Sequence, residues 1–129
     1  MKKCKLLAFL LCERASVSPE RKVTLHNLFN RMILPANPKK TDLVFAYYKV
    51  VAVEPCAIAL RLINPLQEPI RGNWRHAVEQ VGPVQGVWAL DTGLFKELGQ
   101  YTVELQEVTN GSQPDSLASI PLVVEKEGQ

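Results

Sequence analysis

The chain has 129 residues, of which 47% are hydrophobic and 22% are charged, a balance typical of an ordinary folded domain. This length fits a single domain over residues 1–129, since a chain of this size buries roughly two thirds of its unfolded surface. Fifteen basic and thirteen acidic side chains leave a formal charge of +2, which is too small for the basic field on which nucleic-acid binding depends.

The first segment, MKKCKLLAFLLCERASV, has two interpretations. As an export or lipoprotein signal it offers Cys12 for acylation, but Leu10 and Leu11 stand where small residues normally precede such a cysteine. As a strand it is apolar on both faces, like an inner strand of a packed sheet, and it ends where Glu13 and Arg14 meet water. We favour the strand. No apolar run reaches the roughly 18 residues of a membrane-spanning helix, so no integral membrane segment is expected.

The three cysteines, Cys4, Cys12 and Cys56, are odd in number and lack CxxC spacing. This pattern favours reduced thiols over a disulfide framework or a zinc site, and no metal and no cofactor are expected. If the N-terminus is not a signal, the reduced thiols also predict a cytoplasmic protein. Cys12 would be reactive if Arg14, two residues along the same strand face, lowered the pKa of its thiol. A buried, inert thiol is the favoured interpretation, because free cysteines are among the most buried side chains.

The middle of the chain is predicted as strands separated by turns. The segment KVTLHNLFNRMIL predicts a strand that ends at Pro35, and LVFAYYKVVAV and CAIALRLI predict two more, because β-branched and aromatic residues fill them. Residues 71–90 are less regular, with a short strand expected at 87–90. The segment TGLFKELG predicts a turn or a single helical turn that stops at Gly99.

The segment QYTVELQEV has the clearest alternation in the chain, and one of its faces carries Tyr101, Val103 and Leu105. Gly99, two residues before Tyr101, is typical of a tyrosine corner, in which the hydroxyl bonds nearby backbone; an ordinary core tyrosine is equally compatible. Asn110-Gly111 predicts a turn, and Pro121 in the last strand indicates a sheet edge or a bulge.

The number and spacing of these segments define the expected fold. Seven or eight short strands predict an all-β protein, an antiparallel β-sandwich with immunoglobulin-like, Greek-key topology. The physical reason is that each half-apolar sheet must bury its inner face against another.

Three short motifs resemble those of a known family. A first strand ending in Cys-Glu, a second strand of the form K-V-x-L-x-N-x-F and a late G-x-Y strand resemble a bacterial family of small single-domain proteins of unknown function. The corresponding positions are Leu11, Cys12, Glu13, Leu25, Asn27, Phe29, Gly99 and Tyr101. The resemblance implies a sandwich fold and a mature protein that begins near Met1, and it brings no catalytic residues. Residues 71–90 carry none of the pattern.

The sequence shows no obvious catalytic or calcium-binding set. There is no G-x-S-x-G motif, and the two histidines, His26 and His76, lie far apart in the sequence. Asp42, Asp91 and Asp115 fall in three different predicted loops, whereas a calcium site needs several oxygen ligands together. The chain is therefore expected not to be an enzyme.

The stretch IRGNWRHAVEQVGPVQGVW contains residue types that are enriched at protein interfaces. We identify Arg71, Trp74, Arg75 and His76 as a candidate protein interface. The alternative is that the tryptophans fill the ends of the core, which is favoured for Trp88 and is equally compatible for Trp74.

Three hypotheses for function follow. The leading one is a non-enzymatic cytoplasmic β-sandwich that binds a protein partner, or itself, through a sheet edge or through residues 71–76. A competing hypothesis is an exported or lipid-anchored domain in which residues 1–12 are the signal. The third is a small enzyme, which would need a polar pocket joining His26 or His76 to a carboxylate.

Overall fold

The computed structural model describes residues 3–35, 42–108 and 113–128, and the turn predicted at Asn110-Gly111 lies outside them. The described residues form ten strands and one 3-10 helix in the order β1 (Cys4–Val17), β2 (Val23–Leu28), β3 (Arg31–Leu34), β4 (Leu43–Ala52), β5 (Cys56–Ile63), β6 (Pro69–Ile70), β7 (Arg75–Val78), β8 (Gly82–Asp91), η1 (Thr92–Leu94), β9 (Gly99–Val108) and β10 (Asp115–Lys126). No helix in this part of the chain is long and apolar enough to cross a membrane.

The strands form two sheets that pack face to face. Sheet A has the order β2-β1-β4-β8, and sheet B has the order β3-β10-β9-β5-β6, with β7 also paired to β5. Among the described strands, every pairing is antiparallel except that of β3 with β10. The predicted all-β sandwich is confirmed. The strand number is wrong, because the short strands β3, β6 and β7 extend sheet B in segments that the pattern did not resolve.

Side chains from both sheets fill one buried cluster between them. Strand β4 contributes every second residue, namely Val44, Ala46, Tyr48, Val50 and Ala52. Strand β9 contributes from the opposite sheet Tyr101, Val103 and Leu105. Each large apolar side chain buried in this way stabilises the fold by about 1.5–3 kcal/mol relative to exposure.

Strand β1 lies inside sheet A, between β2 and β4. It pairs with β4 as far as Cys12, so the segment is a core strand, as its two apolar faces indicate. It does not end at Glu13 and Arg14, as predicted. It continues to Val17, because β2 supplies hydrogen-bond partners for its second part.

The β1–β2 hairpin bends back over the outer face of sheet A. At the bend, Asn27 has a left-handed φ of 58°, and its Nδ2 donates to Glu13 Oε2 at 3.1 Å. Asparagine tolerates this backbone region better than most residues. At the tip, Arg21 O accepts a hydrogen bond of 3.1 Å from Gln85 Nε2, on the far edge of the sheet. The hairpin thereby covers outward-facing side chains, and Cys12 is fully buried.

The predicted single strand that ends at Pro35 is wrong, because the segment divides between the sheets. Strand β2 belongs to sheet A and β3 to sheet B, and the chain passes from one to the other at Phe29 and Asn30. Phe29 N donates to Leu11 O at 3.1 Å, and Asn30 O accepts from Val123 N at 3.0 Å. Neither proline nor glycine marks this crossing, which is why the sequence pattern missed it.

The turn before β9 is a tyrosine corner. Tyr101 Oη accepts a hydrogen bond from Glu97 N at 2.9 Å and donates one to Glu97 O at 2.8 Å. Between them, Gly99 has a φ of 130°, a conformation that glycine adopts without strain. The corner is therefore the correct one of the two interpretations of Tyr101. Helix η1, just upstream, is the single helical turn predicted as one alternative, but it ends at Leu94 and not at Gly99, because Gly99 already begins β9.

Strand β10 lies between β3 and β9, and its bulge falls between Ser116 and Ala118. Pro121 itself stays in register with β9, so the bulge predicted there as one alternative is absent. The other alternative, a sheet edge at Pro121, agrees better with the structure, since β3 pairs with β10 only from Val123 onward. Pro121 thus lies where β10 has no described neighbour on one side, as a proline within a sheet requires.

Deletion of residues 1–12 is expected to abolish cooperative folding, because it removes the strand between β2 and β4. Thermal unfolding followed by circular dichroism measures this. The control is Leu7→Ala in the same strand, where the side chain is 50% exposed and the change in unfolding free energy should stay within about 0.5 kcal/mol. A soluble fragment that starts at Glu13 and melts cooperatively would contradict the assignment of β1 to the core.

Replacing Tyr101 by Phe keeps the buried ring and removes both hydrogen bonds to Glu97. We expect the free energy of unfolding to fall by about 1–3 kcal/mol, since backbone groups lose their partner. Tyr47→Phe is the matched control: Tyr47 Oη bonds the Gln85 side chain, which can turn to water instead, so its loss should be smaller. Urea denaturation gives both values, and equal losses would show that the corner contributes no more to stability than the side-chain hydrogen bond of Tyr47.

Candidate functional site

The four residues predicted as an interface lie in and beside β7, at the edge of sheet B. Arg71 and Trp74 precede the strand, and Arg75 and His76 begin it. Because side chains alternate along a strand, Arg75 is exposed and His76 turns inward. The structure therefore divides the predicted surface into two exposed arginines and two partly buried rings.

His76 belongs to an aromatic stack that joins the two sheets. Its Nδ1 lies 2.8 Å from Tyr48 Oη, and its ring is 4.7 Å from that of Trp88, with the planes 21° apart. Tyr48 and Trp88, both on sheet A, stack at 4.8 Å. Burial lowers the pKa of His76 and raises the pKa of Tyr48 to about 12, so the neutral forms of both are favoured. Trp88 is 5% exposed, which confirms its predicted place in the core.

Two glycines make room for these rings. A Cβ on Gly86, which lies opposite Tyr48, would come within 2.6 Å of the tyrosine ring. A Cβ on Gly72 would come within 2.1 Å of the Trp74 indole. Trp74 packs against the core from a partly exposed position, and its carbonyl accepts from Leu60 N at 2.9 Å. Trp74 therefore combines the two interpretations: part of its ring packs against the core, and part is exposed as an interface residue would be.

The free edge of β8 lies on the same side of the sandwich. Strand β8 pairs with β4 along its ten residues without a register shift, and no other described strand pairs with it. The short strand predicted at 87–90 is therefore wrong in length. Between residues 82 and 90 the strand has no charged side chain, and Pro83 is its one residue without a backbone N–H.

A group of polar side chains lies between the sheets at the start of β1. The sulfur atoms of Cys4 and Cys56 and a carboxylate oxygen of Glu107 all lie within 4.8 Å of one another. Glu107 is 1% exposed, and its Oε1 accepts from Lys3 N at 2.7 Å and from Cys4 N at 2.8 Å. Its Oε2 has no hydrogen-bond partner of standard geometry in the described part of the chain.

The thiols of this group are held in the protonated form. Burial raises the pKa of Cys4 far above its usual range, and the hydrogen bond and charge of Glu107 raise it further. Burial and Glu107 also raise the pKa of Cys56, while Lys3 acts in the opposite direction. Cys12 lies apart, under the hairpin, and burial raises the pKa of its thiol too, which suits an inert cysteine.

Sequence reasoning missed Glu107, although a signal was present. Glu107 follows Leu105 by two residues in the clearest alternation of the chain, so the period of a strand places its carboxylate on the inner face. Cys56, the first residue of β5, packs against the core from a partly buried position. The approach of Cys4 to both could not be read from the sequence, because it depends on how sheet A packs over sheet B.

An open cleft of about 970 Å³ lies at the end of the sandwich that contains β3, the start of β4 and η1. Its lining combines apolar, cationic and acidic side chains, among them Glu13, Arg14, Arg31, Met32, Asp42 and Phe95. Neither histidine lines it: His26 is exposed on β2, and His76 lies in the aromatic stack.

No family model matches the chain, and no curated protein matches it. Among solved structures, the C-terminal domain of wzt is similar, with a TM-score of 0.58 and 12% identity over 98% of this chain and 76% of that one. A GH3 β-glucosidase of Bifidobacterium adolescentis is similar with a TM-score of 0.50 and 13% identity, over 98% of this chain and 18% of that one. At these identities the likeness shows the sandwich fold alone.

Acidification is expected to destabilise the fold through His76. Burial lowers its pKa in the folded chain, so below about pH 6.5, the ordinary histidine pKa, the unfolded chain takes up a proton that the folded chain does not. The free energy of unfolding should therefore fall as the pH decreases below this value, and keep falling until the pH reaches the folded-state pKa.

Urea denaturation at about pH 7.5 and about pH 5.5, on either side of the ordinary histidine pKa, measures this loss. The variant His76→Phe should lose less stability on acidification, whereas His26→Phe, at an exposed position on β2, should behave like the wild type. An unchanged pH dependence in His76→Phe would contradict the assignment.

Proposed function

We propose that this protein is a non-enzymatic interaction module that associates with a second copy of itself along the free edge of β8. The observation that carries the proposal is the length and chemistry of that edge. A sheet edge presents unpaired N–H and C=O groups, and natural proteins usually blunt it with charges, bulges or short strands. Strand β8 instead runs for ten residues in regular register, and residues 82–90 carry no charge.

A second copy is the partner that this edge fits best. Two antiparallel copies of one strand can pair about a two-fold axis, so each provides the surface that the other needs. The absence of charge over residues 82–90 gives no electrostatic preference for an acidic or a basic segment of another protein. Pairing through β8 would join two four-stranded sheets into one continuous sheet.

Exposed apolar side chains extend this surface beyond the strand. Val53 follows β4 and Val81 precedes β8, and they are 59% and 66% exposed at the same end of the strand pair. Their burial in a dimer would add apolar contact to the backbone hydrogen bonds. The proposed surface is therefore the β8 edge together with these two valines.

The aromatic stack supports the proposal by fixing the edge in place. Trp88 on β8 is stacked against Tyr48 on the neighbouring strand and His76 on β7. A strand that is already rigid loses little conformational entropy when it pairs, so more of the contact energy appears as affinity. Arg71 and Arg75 are exposed nearby on the β6–β7 edge. If the partner is another protein and not a second copy of this chain, this edge is where it would bind.

A cytoplasmic location is part of the proposal. It is supported by the three free cysteines and by the place of β1 inside sheet A. A cleavable signal is dispensable to the fold that remains after its removal, whereas a core strand is not. The deletion of residues 1–12 described above therefore tests this part of the proposal as well.

The variant Ala89→Lys tests the association directly. Ala89 is exposed on β8, so a lysine there is compatible with the monomer but brings a charge to the edge. Analytical ultracentrifugation over a concentration series should show a reversible dimer for the wild type and a dissociation constant at least ~10-fold higher for the variant, equivalent to ~1.4 kcal/mol.

Ser119→Lys on β10 is the matched control, since it makes the same addition of charge at an exposed position within sheet B and should leave the dissociation constant unchanged. A wild type that stays monomeric up to its solubility limit would refute the self-association. A dimer that is disrupted by Arg75→Ala and not by Ala89→Lys would move the interface to the β6–β7 edge.

A further inference from the structure

The group formed by Cys4, Cys56 and Glu107 has no part in the proposed association, and its geometry points to a different property. Three strands bring these residues together. Cys56 lies on β5 and Glu107 on the adjacent β9 of sheet B, while Cys4 is the first residue of β1 in sheet A. The two sulfurs and a carboxylate oxygen lie within 4.8 Å of one another.

The carboxylate of Glu107 is only half satisfied. Its Oε1 accepts two backbone hydrogen bonds, from Lys3 and Cys4, whereas Oε2 is buried with no hydrogen-bond partner of standard geometry among the described residues. Among these residues, the only other donor beside the carboxylate is the Cys4 thiol, which is a weak one. A buried polar atom with no partner carries a desolvation cost of roughly 1–3 kcal/mol, and native proteins rarely leave such an atom unused. An ion bound at Oε2 would remove this cost.

The donor atoms select the class of ion. Two thiolate sulfurs and one carboxylate oxygen suit Zn²⁺ and similar soft or borderline cations, whereas Ca²⁺ and Mg²⁺ require mainly oxygen ligands. In a tetrahedral zinc site the bonds to sulfur are about 2.3 Å and those to oxygen about 2.0 Å, so the ligand atoms lie roughly 3.5–3.8 Å apart. The three atoms lie within 4.8 Å, so small side-chain rotations bring them to these separations.

We propose that Cys4, Cys56 and Glu107 form a binding site for a zinc-class divalent cation, held by the two sulfurs and by the carboxylate of Glu107. Binding releases the two thiol protons to the solvent. The ligands then carry three negative charges, the ion supplies two positive charges, and the ammonium group of Lys3, whose charge acts on Cys56, supplies the third. The buried group is thus electrically balanced when the ion is bound.

The bound ion would connect the two sheets. Cys4 belongs to sheet A and the other two ligands to sheet B, and 103 residues separate Cys4 from Glu107. A link of this kind stabilises the folded chain in proportion to its affinity, because the unfolded chain does not hold the three ligands together. Binding should therefore raise the melting temperature as well as fill the site.

Equilibrium dialysis of the reduced, chelator-treated full chain against Zn²⁺, with the metal measured by mass spectrometry, tests the proposal. We expect one Zn²⁺ per chain, and with Co²⁺ the absorption band of a thiolate-to-metal charge transfer. Cys56→Ser and Glu107→Gln should each weaken binding by at least ~10-fold, since changes even beyond the ligands themselves have effects of that size. Glu107→Gln retains the oxygen that accepts from Lys3 and Cys4.

Cys12→Ser is the matched control, because Cys12 is a buried thiol outside the group and its loss should leave zinc binding unchanged. A measurement on the wild type needs no variant: Zn²⁺ should slow alkylation of Cys4 and Cys56 more than that of Cys12, which is protected only through the added stability of the fold. The proposal is overturned by a wild type that binds no Zn²⁺, by equal protection of all three thiols, or by the same loss of affinity in Cys12→Ser.

Discussion

Strand β1 is apolar on both faces, and much of the architecture follows from the need to cover them. Its inner residues Phe9 and Leu11 pack in the cluster between the sheets. Its outer face, which includes Cys12, would lie in water, because no third layer exists in a sandwich. The β1–β2 hairpin provides the cover by folding back at Asn27, held there by Glu13. Asn27 and Glu13 thus have a mechanical role in this fold.

The borders of the sandwich are closed by a few directional contacts. The tyrosine corner secures the chain where it enters sheet B, and the stack of Tyr48, His76 and Trp88 ties one lateral edge of sheet A to β7. These contacts combine ring packing with hydrogen bonds, so they fix both distance and orientation. The backbone of β8 is paired only with β4 among the described strands, and the hairpin tip is hydrogen-bonded to the strand through the Gln85 side chain alone. That contrast makes β8 the edge on which association is proposed.

The sequence predicted those features that depend on local periodicity. Alternation located β5 and β9, the apolar faces identified β1 as a core strand, and glycine before Tyr101 indicated the corner. Features that depend on the path between sheets were missed: the crossing at Phe29 and Asn30 carries no turn signal, and the length of β8 depends on its partner β4. The group around Glu107 was missed for the same reason, since three separate strands assemble it. The interface predicted from composition, Arg71, Trp74, Arg75 and His76, was only partly a surface. Adjacent residues of β7 face opposite sides, so Arg75 is exposed and His76 is partly buried.

The hydrogen bonds from Lys3 and Cys4 to Glu107 also constrain the order in which the fold is completed. They span 104 and 103 residues, and β3 likewise pairs with β10 near the other end of the chain. During synthesis, all four strands of sheet A emerge before β9 and β10, which form the middle of sheet B. The inner face of sheet A therefore stays incompletely covered until β9 and β10 have been synthesised. The two sheets of the nascent chain can dock fully only after these strands have formed. Until then the exposed apolar face needs protection from aggregation, more than in a protein built from local contacts.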